Sequence, residues 1–146
     1  MPESTLDSIV FVSIPAEFGR TIGDFQLNPD ILIPVEVAGT KDSYDLRDLS
    51  WEMILSGMLK VLAYEPDHED ADYYRDFVLA VKPDVVGELT ETAILKAKNK
   101  DFDLAEEIFK ALVGLQPTDQ RAHLNLALLY EQRAREERNK DAHAEY

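Results

Sequence analysis

Residues 85–119 read VVGELTETAILKAKNKDFDLAEEIFKALVGLQPTD, and they carry the clearest structural pattern in the chain. Apolar residues recur every three or four positions on either side of a central polar turn, which predicts amphipathic helices over about 85–98 and 102–115. Pro83 precedes the first helix and Pro117 follows the second, and proline does not continue a helix. The stretch therefore predicts one helix-turn-helix unit between two prolines.

The same helical spacing continues outward from this unit. Ser50 has the residue type of an N-cap for a helix that starts at Trp51 and ends near Pro66. Another helix is predicted over about 68–81, and a fifth starts near Asp119. The sequence therefore predicts five helices after about residue 50.

The N-terminal residues 1–47 differ, because they combine prolines with short β-branched runs. Ile9–Val12 and 31–37 are predicted as strands, and Pro34 places the second strand at an edge or breaks it. Residues 18–25 are ambiguous. We expect a small β-hairpin or β-ribbon that packs on the helices and either caps them or offers an unpaired edge to another chain.

Three parts follow from these patterns. They are a β-containing segment at 1–47, a helical repeat domain at 48–138 and a polar C-terminal tail at 139–146. After about residue 133 the chain is polar on every side, which is typical of an exposed helix end or a frayed tail.

A shift of 34 residues aligns the helical region with itself. It places Asp67 on Asp101 in the turns and Pro83 on Pro117 at the helix ends. The other aligned pairs are apolar: Ala71 with Ala105, Val78 with Leu112, Ala93 with Ala127, and Leu95 with Leu129. Such a period indicates stacked helix pairs, in which small residues let backbones approach and each pair buries the face that its neighbour leaves open.

The repeat resembles that of the tetratricopeptide repeat (TPR) family. That family places a small residue in each helix, then an aromatic and an apolar residue in the second helix, and a closing proline. The matching residues here are Ala93, Ala105, Phe109, Leu112 and Pro117. A following half unit offers Ala127 and Tyr130, and a weaker preceding unit covers about 50–85. The resemblance implies a mainly α fold, a TPR-like α-solenoid of about two and a half helix-turn-helix repeats, with the short N-terminal β-hairpin or β-ribbon beside it.

The resemblance also implies a binding groove along the first helices of successive repeats. The groove residues that it implies for partner binding are Thr90, Ile94, Lys98, Arg121, Leu124, Asn125 and Leu128. An extended or helical peptide segment with apolar side chains is the partner expected there. A structural alternative stays open, in which Ile94, Leu124 and Leu128 are core or capping contacts.

Charge and composition limit the classes of partner. The chain has 146 residues, enough for one domain, and a formal net charge of −14. Because nucleic acid and anionic lipid bind clustered Lys and Arg, we expect neither as a partner. There is no cysteine, and no signal or membrane-spanning run is visible, so we expect a cytoplasmic protein.

The sequence shows no pattern typical of catalysis, a metal or a cofactor. The acidic run of residues 65–76 lacks the glycine and glutamate of an EF-hand loop, and the histidines lack ligand spacing. We therefore expect a non-enzymatic adaptor or scaffold without a cofactor. Two alternatives stay open: a small, acidic, self-associating chaperone or escort that forms a homodimer, and an unrecognised enzyme or metal-binding protein.

Overall fold

The computed structural model describes residues 6–37 and 49–144, with side chains as far as residue 140. The boundary predicted near residue 47 therefore lies outside the described residues. The strands are β1 (Ile9–Val12), β2 (Thr21–Ile22), β3 (Phe25–Gln26) and β4 (Ile33–Glu36). The helices are α1 (Trp51–Tyr64), α2 (Ala71–Val81), α3 (Val85–Lys98), α4 (Phe102–Leu115) and α5 (Gln120–Ala144). The fold is mainly helical with short antiparallel strand pairs, as the sequence predicts.

The N-terminal strands form two separate antiparallel pairs. β1 pairs with β4, with Phe11 opposite Pro34, and β2 pairs with β3 across a turn at Gly23. The amide of Val37 donates to the Ser8 carbonyl at 2.9 Å. Since hydrogen-bonded and non-bonded pairs alternate in an antiparallel ladder, the nitrogen of Pro34 faces away from β1. The proline therefore costs no ladder hydrogen bond.

Local sequence signals determine where several of the helices begin and end. The Ser50 hydroxyl accepts a hydrogen bond from the Met53 amide at 3.2 Å, which confirms the predicted N-cap. α2 begins at Ala71, three residues later than predicted, because two successive turns precede it and His68 Nδ1 accepts from the Asp70 amide at 3.0 Å. α5 continues to Ala144, through the residues predicted as a polar tail, since no proline or glycine stops it.

α4 is the centre of the helical packing, with α1, α3 and α5 against it. Gly114 of α4 is buried, and a Cβ added there would lie 2.5 Å from the carbonyl carbon of Leu62 in α1. Gly57 has the same role on the other side of α1, where an added Cβ would lie 2.5 Å from the carbonyl carbon of Pro34. These two glycines let α1 lie directly against α4 and β4.

An aromatic cluster joins the N-terminal segment to the helices. The fully buried Phe77 ring lies 5.9 Å from Phe25 and 6.0 Å from both Trp51 and Tyr73. The buried Tyr74 hydroxyl donates to the Leu32 carbonyl at 2.9 Å. These contacts make the N-terminal strands part of the main core. In residues 6–37 and 49–144, no helix has the length and apolar character needed to cross a bilayer.

Candidate binding groove

A cavity of about 360 Å³ opens between the first turns of α3 and α5. Its apolar lining comes from Val86, Leu112 and Ala122. Its other lining residues are Gly87, Thr90, Glu91, Gln116, Asp119, Arg121 and Asn125. Three adjacent helices and the turn from α4 to α5 therefore form one groove.

Contacts along its length hold α5 in place beside α3 and α4. Leu129 of α5 is buried, and the Gln132 amide donates to the Ala97 carbonyl of α3 at 3.3 Å. Arg133 donates to Asp103 of α4 at 2.7 Å. These contacts lie further along α5 than the cavity. They therefore fix the position of α5 relative to α3 and α4.

Some polar groups of the groove are satisfied within the chain. The Thr90 hydroxyl donates to the Val86 carbonyl at 2.7 Å, and the Asp119 carboxylate accepts from the Arg121 amide at 2.9 Å. The side chains of Glu91, Arg121 and Asn125 make no hydrogen bond or ion pair within the described part of the chain. An acid, a base and an amide are therefore available to a ligand in this groove.

Exposed apolar side chains extend the groove beyond the cavity. Ile94 is 43% exposed, Leu124 56% and Leu128 51%, which excludes a buried core role for them. Helical spacing places Ile94 in line with the cavity residue Glu91, and Leu124 and Leu128 in line with Arg121. The groove is thus polar at the cavity and apolar along both rims.

The structure brings the residues implied by the TPR resemblance together only in part. Thr90, Arg121 and Asn125 line the cavity. Lys98 is exposed at the end of α3, one helical turn after Ile94. Sequence reasoning missed Gln116 and Asp119, which come from the turn after α4 and carry no repeat signal.

A second cavity, of about 160 Å³, lies between α1, α3, α4 and β4. Lys60 reaches Glu36 at 2.6 Å and Glu107 at 4.0 Å across it, and the Tyr64 hydroxyl donates to Glu107 at 2.9 Å. The hydrogen bond to Glu36 raises the pKa of Lys60. These polar groups are paired with one another, so we interpret them as ties between elements.

The Tyr64 contact predicts a pH dependence. Burial, and then the hydrogen bond to Glu107, raise the pKa of Tyr64 from 10.0 to about 12. Since the folded pKa is above the unfolded one, the stabilisation is complete below pH 10 and is lost as the pH rises through about 12. Denaturant unfolding at a series of pH values should show wild type losing more stability over this interval than Tyr64→Phe. Equal losses in both proteins would contradict the assignment, and Tyr130→Phe on the exposed side of α5 is the matched control.

Among the described residues, no three His, Asp or Glu side chains come together as a metal site. Comparisons of the chain with protein-family models, with curated proteins and with solved structures returned no significant match.

Proposed function

We propose that this chain is a protein-interaction module of the TPR-like adaptor or scaffold type, with a binding rather than a catalytic role, and that a segment of a partner protein lies in the α3–α5 groove. One observation carries the proposal: the groove combines available polar groups with exposed apolar rims. Glu91, Arg121 and Asn125 supply the polar groups, and Ile94 and Leu128 supply apolar surface. A bound segment would form hydrogen bonds with these polar groups and cover the apolar surface.

The packing of α3 and α4 supports the TPR-like part of the proposal. The small residues Ala93 and Ala105 are fully buried, and Phe109 and Leu112 are buried with them in one apolar cluster. In a TPR unit these residue types let the two helices approach closely and receive the next helix. Here α5 takes the place of that next helix.

The α1–α2 pair is packed differently, so the proposal confines the repeat-like unit to α3, α4 and α5. The extensive contacts of α1 are with α4 and β4. Gly57 of α1 accommodates the backbone of Pro34. In the proposal, the N-terminal strands and α1–α2 form the body on which this unit is built.

Charge favours a protein partner over nucleic acid. The net charge of −14 repels phosphate backbones, while Glu91 and Asp119 place two carboxylates at the groove. The partner segment that fits best carries apolar side chains with a flanking Lys or Arg. A single short peptide segment can carry both the apolar side chains and the flanking basic residue.

The proposal predicts that two charges on the rims abolish partner capture. Wild type and an Ile94→Glu, Leu124→Glu variant are used to capture proteins from a lysate of the source, after circular dichroism has shown equal folding. Both substituted side chains are exposed, so folding should be unchanged. We expect specific partners to be retained by wild type and reduced at least about tenfold by the variant.

The matched control is Leu95→Glu, Leu104→Glu, which adds the same charges at exposed leucines outside the groove. This control should capture the same partners as wild type. If wild type and the Ile94→Glu, Leu124→Glu variant capture the same partners equally, the groove is not the binding site. Equal loss in both variants would show a charge effect without a defined site.

A further inference from the structure

Four residues form a row along the side of α5 that no element in the described residues covers. Arg121, Leu124, Leu128 and Glu131 follow one another at intervals of three, four and three residues, which is the spacing of a helix-pairing seam. All four side chains are exposed. The row therefore presents two leucines in the middle, with a base at one end and an acid at the other.

The charge pattern of this row is complementary to itself when it is reversed. In an antiparallel pair with a twofold axis between Leu124 and Leu128, Leu124 of one copy lies opposite Leu128 of the other. The same axis places Arg121 opposite Glu131, twice. Each end of the seam thus becomes an ion pair, and its centre becomes two leucine layers.

The distribution of charge along the chain also favours α5 as the surface where two copies meet. Residues 1–119 carry the entire net charge of −14, whereas residues 120–146 hold five acidic and five basic residues. Two copies that approach through other surfaces bring net negative charge together. The α5 surface is where this repulsion is weakest.

From these observations we infer that a second copy of this chain docks on α5, with the two α5 helices antiparallel and Arg121 paired with Glu131 of the other copy. The Arg133 contacts to Asp103 and Glu106 lie on the opposite side of α5 and keep it seated on α4. They therefore remain in place when the seam forms.

This pairing has a consequence that rests on the proposed function. Leu124 and Leu128 belong both to the seam and to the rim of the groove. A second copy bound there covers the surface proposed for the partner segment. Self-association and partner binding therefore compete, and the dimer is the closed form of the groove.

Sedimentation velocity on the purified full chain alone, over a concentration series up to about 1 mM, tests the inference. The wild type should pass from monomer to dimer as the concentration rises. Leu128→Glu should stay monomeric at every concentration, because it puts two like charges into the leucine layers. Leu95→Glu, at an exposed leucine of α3, should dimerise as wild type does.

A charge-reversal cycle tests the antiparallel register itself. Arg121→Glu and Glu131→Arg should each weaken the dimer by about tenfold or more, because each substitution acts twice at a twofold interface. The double variant restores both ion pairs in reverse and should return to within about threefold of wild type. Thermal melts should show all three variants close to wild type, since both side chains are exposed and the 3.9 Å ion pair of Glu131 with Arg135 lies at the surface, where such pairs contribute little.

A wild type that is monomeric throughout, or a double variant as weak as the single ones, would overturn the inference. No partner protein is present in this experiment, so its failure differs from a failure of the proposed function. If the chain is monomeric but still captures partners through the groove, the dimer inference is wrong and the proposed function is unaffected. A chain that dimerises, but captures no partner even at concentrations where it is monomeric, loses only the partner segment.

Discussion

Gly114→Ala should destabilise the protein by about 3 kcal/mol or more, although the same change in an exposed helix normally stabilises by up to about 1 kcal/mol. An added Cβ would lie 2.5 Å from the Leu62 carbonyl carbon and 3.1 Å from its Cβ. The nearest atoms belong to the backbone of α1, so a side-chain rotation does not relieve the overlap. The two helices must move apart, which opens the buried contact between them.

Gly87→Ala is the matched control for this prediction. Gly87 is exposed on α3, and a Cβ added there meets nothing within 4 Å. It should stabilise the protein by as much as about 1 kcal/mol. Denaturant unfolding of both variants measures the two effects, and a Gly114→Ala protein as stable as wild type would refute the direct packing of α4 on α1.

Ile33→Ala should cost about 3 to 4 kcal/mol, because Ile33 of β4 is fully buried and the removed atoms leave a cavity. β4 packs on α1, and Ile33 belongs to the same apolar cluster as Ile54, Met58 and Phe77. The loss should therefore lower the melting temperature of the helices as well as of the strands. A single cooperative transition in circular dichroism is expected for the variant.

The neighbouring residue offers the control for Ile33→Ala. Leu32 is 48% exposed, so Leu32→Ala should cost less than about 1 kcal/mol. Similar losses for the two variants would mean that β4 is not seated on α1. In that case the N-terminal segment would be an appendage and not part of the core.

The sequence predicts helix bounds best where local signals are strong. α3 and α4 begin and end at the predicted residues, because the apolar period is clear and polar turns or prolines stand at the ends. β2 and β3 are two residues long and carry no period, so the ambiguous stretch 18–25 gave no prediction of a second hairpin. The direct packing of α4 on α1 is non-local, and its only sequence signal is Gly114, a glycine inside a helix that requires a packing reason.

The groove could be predicted in part, for a related reason. The resemblance to the TPR repeat implies that Thr90, Arg121 and Asn125 share one groove, and the structure brings these three residues to one cavity. Whether Ile94 is buried or exposed depends on which helices surround α3. The apolar spacing within α3 does not identify those neighbouring helices. Gln116 and Asp119 enter the cavity through the path of a turn, which spacing within helices does not describe.

The most direct test of the groove is a photo-crosslinking experiment with a one-residue shift. A photoreactive phenylalanine analogue is placed at Ile94 in one protein and at Leu95 in another, and both are irradiated in source lysate. Both positions are exposed on α3, but Ile94 lies one helical turn from both cavity residues Thr90 and Glu91, whereas Leu95 lies one turn from Glu91 alone. The proposal predicts a crosslink to a partner segment that is strong from position 94 and clearly weaker from position 95. Equal crosslinking from both positions, or crosslinking from position 95 alone, would contradict the groove as the binding site.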